Sequence, residues 1–200
     1  MNRRRHFQRA LVVLLIWSTG IFAAEFRVDT LQENSVVFYA KATMGNFTGK
    51  TDRIRGFIRW ENGDTVASSQ VHFEVDLASF DTGVGLRNKH MREKYLETDS
   101  FPTAVYEGKI TEWKFNREGV YKVKTEGTLT LHGVTRPFSA RATVFDRGKV
   151  YQVFLQFRLV ITDFGIKQPR FLLASMQPKV VVQVNFYLRK TEPHPPSVGN

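Results

Sequence analysis

Between Glu25 and Leu188 apolar and polar residues exchange places at every second position, run after run, with turn residues between the runs. A period of two marks strands with one face buried and the other in water. Residues 126–137 (EGTLTLHGVTRP) show the pattern in full. Val123, Thr125, Gly127, Leu129 and Leu131 share one parity; Lys122, Lys124, Glu126, Thr128, Thr130 and His132 share the other. His132-Gly133-Val134-Thr135 then supplies a tight reversal, with Gly133 free to take positive φ. Arg136 and Pro137 open the next run, in which Phe138, Ala140, Ala142 and Val144 share a face.

The same reading applies along the rest of the chain. Val36, Phe38, Ala40 and Ala42 are followed by a Gly45-Asn46 turn; Ile54, Gly56, Ile58 and Trp60 precede a turn at Asn62-Gly63-Asp64. Val71, Phe73, Val75 and Leu77 come next, then Ala104, Tyr106, Gly108 and Ile110. Tyr151, Val153, Leu155, Phe157 and Leu159 precede a last run of Val180, Val182, Val184, Phe186 and Leu188. With the opening hairpin this predicts an all-β protein, an antiparallel meander of eight strands. Long strands and short turns favour a closed barrel over a sandwich, and so does the mixture of large and small inward residues. A barrel of this size holds packed side chains or one small ligand. A membrane-spanning barrel would put Arg53, Arg55, Arg59, Lys122 and Lys124 against lipid, at about 2–4 kcal/mol for each mid-strand cation. The outward face therefore faces water.

Gly85–Leu96 interrupts the alternation between the third and fourth strands. Leu86 and His90, and Met91 and Tyr95, stand four apart among basic residues, which predicts one short helix across an end of the barrel. Asp81 or Thr82 is the expected cap.

Residues 1–24 read as a secretory signal: Arg3-Arg4-Arg5 and Arg9, then an apolar stretch from Ala10 to Trp17, then small residues. Residues 25–190 form the barrel domain and 191–200 a polar tail. The chain carries +10 formally, but four arginines sit in the signal, leaving 25 basic and 19 acidic residues in the remainder. That excess suits an anionic partner or membrane surface. There are no cysteines, which excludes a disulfide framework, a thiolate metal site and a lipoprotein anchor.

No motif prepares a reaction. Asp81-Thr82-Gly83 resembles the catalytic loop of aspartic proteases, but that chemistry needs two carboxylates sharing a proton and the chain has one such triplet. Asp163-Phe164-Gly165 lacks the phosphate loop of a kinase. His72, His90 and His132 lack partners at metal-ligand spacing, so no metal is expected. Arg53, Arg55 and Arg59 flank Phe57 on an outward stripe that reads as a solvated or membrane-apposed face rather than a nucleic-acid site. The inward aromatics, including Trp60 and Tyr151, fit a filled core and a cavity equally well.

Several segments closely resemble the YceI-like family of exported lipid-binding proteins. They are Phe47-Thr48-Gly49, the strand Ser69 to Leu77, Ser79-Phe80-Asp81-Thr82-Gly83, and Arg87-Asn88-Lys89-His90-Met91-Arg92. Ser100-Phe101-Pro102, the run Gly127 to Thr135 and Asp163-Phe164-Gly165-Ile166 continue the resemblance, which covers about Phe26 to Arg189. It implies a lipocalin-like eight-stranded barrel with one helix, holding a polyisoprenoid or similar lipid, in a periplasmic or secreted protein that is not an enzyme. Two positions depart from the family pattern. Ile161 stands where an arginine is usual, and Tyr95-Leu96-Glu97 where Phe-Phe-Asp is usual. An inward Ile161 would remove a cation from the pocket and make the ligand less anionic.

The resulting expectation is a periplasmic carrier or sequestering protein for a long apolar amphiphile, with no cofactor beyond the bound lipid. Phe38, Phe73, Tyr106, Leu129, Phe138, Phe157 and Phe186 are expected to line the tunnel with Ile161. Phe101 and Phe164 are expected near its ends, and Arg87, His90 and Arg92 near a mouth. The alternative is a filled barrel acting through its surface as a binding or stress-protective module. Contact with a membrane surface stays open. So does a homodimer formed by pairing strands such as Arg53 to Trp60.

Overall fold

A computed structural model describes residues 24–60, 68–171 and 174–191. The expected signal (save Ala24), the Asn62-Gly63-Asp64 turn and the polar tail (save Thr191) lie outside the described residues. The strands are β1 Ala24–Val28, β2 Ser35–Ala42, β3 Phe47–Thr51, β4 Ile54–Trp60, β5 Ser69–Asp76 and β6 Thr103–Arg117. They continue as β7 Val120–Leu131, β8 Val134–Asp146, β9 Tyr151–Val160, β10 Arg170–Phe171 and β11 Ala174–Thr191. The helix α1 is Gly85–His90 and runs directly into a π-helical turn, Met91–Tyr95.

β1 and β2 lie end to end along one edge of β11, with Val28 opposite Leu188 and Ser35 opposite Asn185. They are two halves of one strand, broken at residues 29–34. β3 and β4 are likewise two halves, pairing with β2 and β1 and broken at Asp52-Arg53. The circuit β1-β4-β5-β6-β7-β8-β9-β11 closes through the pairing of β1 with β11. The result is the closed eight-stranded antiparallel barrel that the alternation predicts.

Three expectations need correction. The helix does not fall between the third and fourth strands: it follows β5. β1 and β3, five residues each, add two strands ahead of it. Both are too short to display a period of their own, and β3 (FTGKT) is rich in turn-forming residues. Neither Asp81 nor Thr82 caps the helix; its N-cap is Val84, which offers no side-chain acceptor. Finally, Phe57 to Trp60, half of the strand expected to pair with a second copy, has no free edge, because it is bonded to β1 on one side and β5 on the other.

Inside, the apolar parities meet. Val36, Ile58, Val71, Ile110, Val144, Val153, Val184 and Phe186 are buried, and Ile110 is fully so. A buried aliphatic or aromatic side chain contributes about 1.5–3 kcal/mol relative to exposure. Most of the inward aromatics, Phe38, Phe73, Tyr106 and Phe157 among them, are only half-buried and face a space.

β6 breaks the simple alternation. Its register on β7 shifts between Ile110 and Glu112, and an extra residue in one strand turns everything beyond it to the other face. Trp113 thereby points inward while Glu112 and Lys114 pair outside at 2.7 Å. The seam between β8 and β9 is short for two such long strands, paired only from Ala142 to Asp146. Along the rest of β8 lies Pro137, a residue that lacks an N–H and belongs at a sheet edge. Phe138 and Phe157 meet there with ring centroids 4.9 Å apart.

Candidate functional site

The barrel encloses one long apolar cavity of about 870 Å³. This lies towards the upper end of the ~300–1,000 Å³ usual for small-molecule sites. β11 lines it from Met176 to Leu188. At ~3.3 Å per residue and a strand tilt of ~40°, that stretch spans roughly 30 Å along the axis.

Aromatic rings line the far end. Trp60 stands edge-on to Phe26 at 5.5 Å and to Trp113 at 6.2 Å. Tyr151 meets Phe26 at 5.5 Å, and Tyr121 meets Trp113 at 5.4 Å. Edge-to-face contacts of this kind contribute about 0.5–1.5 kcal/mol each beyond area burial. Together they form a floor.

The wall is built from the inward parity of every long strand. Phe38, Phe73, Tyr106, Leu129, Phe138, Phe157 and Phe186 all line the cavity, as does Ile161 at the start of a 3-10 turn after β9. Phe73 meets Phe186 at 4.8 Å, and Tyr106 meets Phe138 at 6.0 Å. Tyr106 donates its hydroxyl to Thr125 Oγ1 at 2.8 Å, placing a hydroxyl pair on an otherwise hydrocarbon stretch. Burial raises the Tyr106 phenol pKa, with nearby Glu126 adding to the shift and the bond to Thr125 opposing it. Room for these rings comes from glycine. Gly108 and Gly127 face each other across β6 and β7, and a Cβ on Gly108 would come within 2.7 Å of the Tyr106 hydroxyl.

The mouth lies under the helix. Met44, Gly45, Val84, Leu86, Arg87, His90, Lys94, Arg170 and Ser175 line it. Every charged residue lining the cavity is basic, and among the described residues no carboxylate faces it. Arg87 is held in place: Nε donates to Thr82 Oγ1 at 2.9 Å, Nη2 donates to the Thr82 carbonyl at 2.7 Å, and the guanidinium lies 4.4 Å over Phe47.

Asp81-Thr82-Gly83 serves this arrangement. The Gly83 N–H at 2.8 Å and the Asn88 amide at 2.6 Å both donate to Asp81 Oδ1. They hold its carboxyl below the usual carboxylate range, opposite to the direction a proton-holding acid requires. Asn88 Oδ1 in turn accepts from the Thr82 N–H at 2.9 Å and hydroxyl at 2.6 Å. The triplet organises a loop that aims Arg87 at the rim.

Three residues expected near the ends or mouth of the tunnel do not line it. Phe101 packs outside it against His132, centroids 4.6 Å apart, and over Gly133. His132 and Gly133 both take positive φ, the geometry of a two-residue hairpin, and a Cβ on Gly133 would come within 2.6 Å of the Phe101 ring. Phe164 is buried in the core beneath the 3-10 turn without reaching the cavity. Arg92 faces away from the mouth, reaching the Ala78 carbonyl at 3.4 Å beside Glu93 and Glu97. Sequence reasoning missed Trp113 because of the bulge, and Met44, Val84, Leu86, Lys94 and Arg170 because loops and a short helix carry no strand parity.

The outward arginine stripe is partly neutralised. Arg55 pairs with Glu74 at 2.5 Å and Arg59 with Glu25 at 2.6 Å. His72 bridges to Glu74 at 2.8 Å. Among the described residues no cluster of His, Asp or Glu is placed to hold a metal ion.

The sequence profile of the YceI-like domain matches residues 26–188. The chain belongs to the YceI-like family. A UPF0312 protein of Photorhabdus laumondii is 29% identical over 139 residues, covering 68% of this chain and 69% of the relative. This YceI-like barrel also superposes on solved structures of low identity, which speak for the shared fold. A polyisoprenoid binding domain from Saccharophagus degradans gives a TM-score of 0.64 at 18% identity, over 83% of this chain and 98% of that one. BcnA of Burkholderia cenocepacia gives 0.62 at 19%, over 82% and 99%.

Proposed function

We infer that this YceI-like protein binds a long apolar amphiphile, a polyisoprenoid or similar lipid, inside the barrel and carries or sequesters it without chemical change. The observation that carries this reading is the cavity: apolar along its wall, floored by aromatics and edged with cations. A single buried methylene contributes ~0.8 kcal/mol, so ten of them supply roughly 8 kcal/mol before the entropy of ordering the chain is subtracted. The tail points to Trp60 and Trp113; the polar head stays by Arg87 and His90. The Saccharophagus domain, a polyisoprenoid binder of the same fold, supports the ligand class. The expected signal at residues 1–24 supports export to the periplasm. The open lumen counts against a filled barrel acting only through its surface.

The test uses the floor. Outside the expected signal, which contains Trp17, the chain's tryptophans are Trp60 and Trp113. Delipidated mature protein is titrated with prenyl alcohols of increasing length while tryptophan emission is followed. Emission should change only once chains are long enough to reach the floor. In Ala140→Phe, where a ring blocks the lumen, it should not change at any length. A folded wild type that responds to no chain, or a blocked variant that responds equally, would sink the reading.

A further inference from the structure

The mouth joins two features that a purely internal site does not need. Met44 is 79% exposed and Leu86 60% exposed, both large and apolar, and Val84 beside them is exposed as well. Met44 sits on the β2–β3 turn; Val84 and Leu86 sit at the start of α1. All three border the same opening. Around them stand Arg87, Lys94 and Arg170, and among the described residues neither Lys94 nor Arg170 is ion-paired. The nearest acids on the helix segment, Glu93 and Glu97, line a separate groove with Arg92 on the far side.

We propose that this end of the barrel seats on an anionic lipid bilayer, with Met44, Val84 and Leu86 entering the headgroup–acyl boundary and Lys94 and Arg170 meeting lipid phosphates. The proposal rests on the lipid-binding reading and names the surface from which cargo passes. Charge complementarity selects this occupant. A second copy of the chain docked mouth to mouth would oppose two basic rims, whereas an anionic bilayer offers negative charge at its surface and hydrocarbon just below. The lumen opens between the two kinds of contact, so a lipid tail can pass from the acyl layer into the lumen while its head stays beside the basic rim. Arg87 is braced by Thr82 and Phe47, which keeps the rim in one geometry during contact.

The experiment is vesicle co-sedimentation of the mature protein with liposomes of phosphatidylglycerol and phosphatidylethanolamine, and with neutral phosphatidylcholine liposomes as control. Binding to the anionic vesicles is expected, falling several-fold as salt shortens the Debye length from ~10 Å to ~3 Å. Each surface cation is worth about a fivefold change in partitioning. Lys94→Glu with Arg170→Glu should therefore lower binding by more than about tenfold. Met44→Ser with Leu86→Ser should weaken binding to anionic vesicles at both low and high salt. Ala140→Phe, with its lumen blocked, should still bind vesicles while failing the tryptophan titration. Failure of docking and failure of lipid uptake are thus read separately. Equal binding to neutral vesicles, no binding to either kind, or unchanged binding by both double variants would overturn the proposal. Retention by an envelope protein in the absence of vesicle binding would overturn it too, and make the partner a protein.

Discussion

Tyr106 shows how much one side chain can fix in this lumen. Its ring forms wall, its hydroxyl bonds Thr125, and two residues along its own strand Gly108 leaves the space that hydroxyl occupies. The raised phenol pKa has a consequence for stability. In the unfolded chain Tyr106 loses its proton near the ordinary value of about 10; in the folded barrel it holds the proton to higher pH. Its contribution is therefore whole below about pH 10 and is lost as pH rises through the folded-state value. Tyr106→Phe should lower stability at neutral pH by about 1 kcal/mol, the net worth of one hydrogen bond. It should also flatten part of the alkaline fall. Urea midpoints on either side of pH 10 measure both, and an unchanged alkaline slope would show that burial does not hold the phenol protonated.

Residues on strands were legible one by one, because parity alone places Phe38, Phe73, Leu129, Phe157 and Phe186 inside. Residues whose position depends on a loop were not. Phe101 was expected near an end of the tunnel. In the fold its partner is a hairpin turn, which sequence spacing does not reveal. Ile161 is buried against the cavity as its parity indicates, although it opens a turn rather than ending a strand.

At the scale of elements, the break between β1 and β2 is the feature most dependent on specific bonds. Where the ladder stops, Asn34 Nδ2 donates to the Asp29 carbonyl at 2.9 Å and Asn34 Oδ1 accepts the Tyr187 N–H at 3.0 Å. The Asp29 side chain, 5% exposed, receives Arg189 Nε at 2.9 Å and Nη2 at 2.6 Å. Burial works against ionisation of Asp29, but Arg189 and the Leu31 N–H outweigh it and hold the carboxyl below its ordinary range. Its stabilisation is thus complete above the unfolded value and drains as pH falls through the lower folded one. Asn34→Ala orphans the Tyr187 N–H, while the Asp29 carbonyl keeps the Gln32 N–H at 3.2 Å, and should cost about 1–3 kcal/mol if water does not reach the freed amide. Arg189→Met leaves a buried carboxylate unpaired and should move acid unfolding to higher pH. Circular dichroism against pH decides: an unaltered acid midpoint in Arg189→Met would mean that the pair does not stabilise the break.

The same scale shows why the strand count could be right while the helix was misplaced. Period two identifies long strands well. It cannot see that a strand is broken in the middle, nor where a bulge such as the one at Ile110 reverses the faces. Pro137 carried a readable signal, since a proline within a strand run implies a free edge, and it lies on the loosely joined seam between β8 and β9.

At the scale of the whole molecule, alternation predicts a closed surface with an apolar inside but not whether that inside is filled. That depends on how the inward volumes sum against the circumference. Small residues at Ala42, Ala104, Ala140 and Ala142 with glycines at 108 and 127 leave the sum short, and the shortfall is the cavity. The rings that would have filled it are spent on the wall and floor. The most direct measurement is native mass spectrometry of the exported, mature protein, followed by organic extraction and identification of what is released. A reproducible mass excess of lipid size, absent from Ala140→Phe, is the expected result. A clean ligand-free mass that stays unchanged after incubation with prenyl lipids would contradict the account.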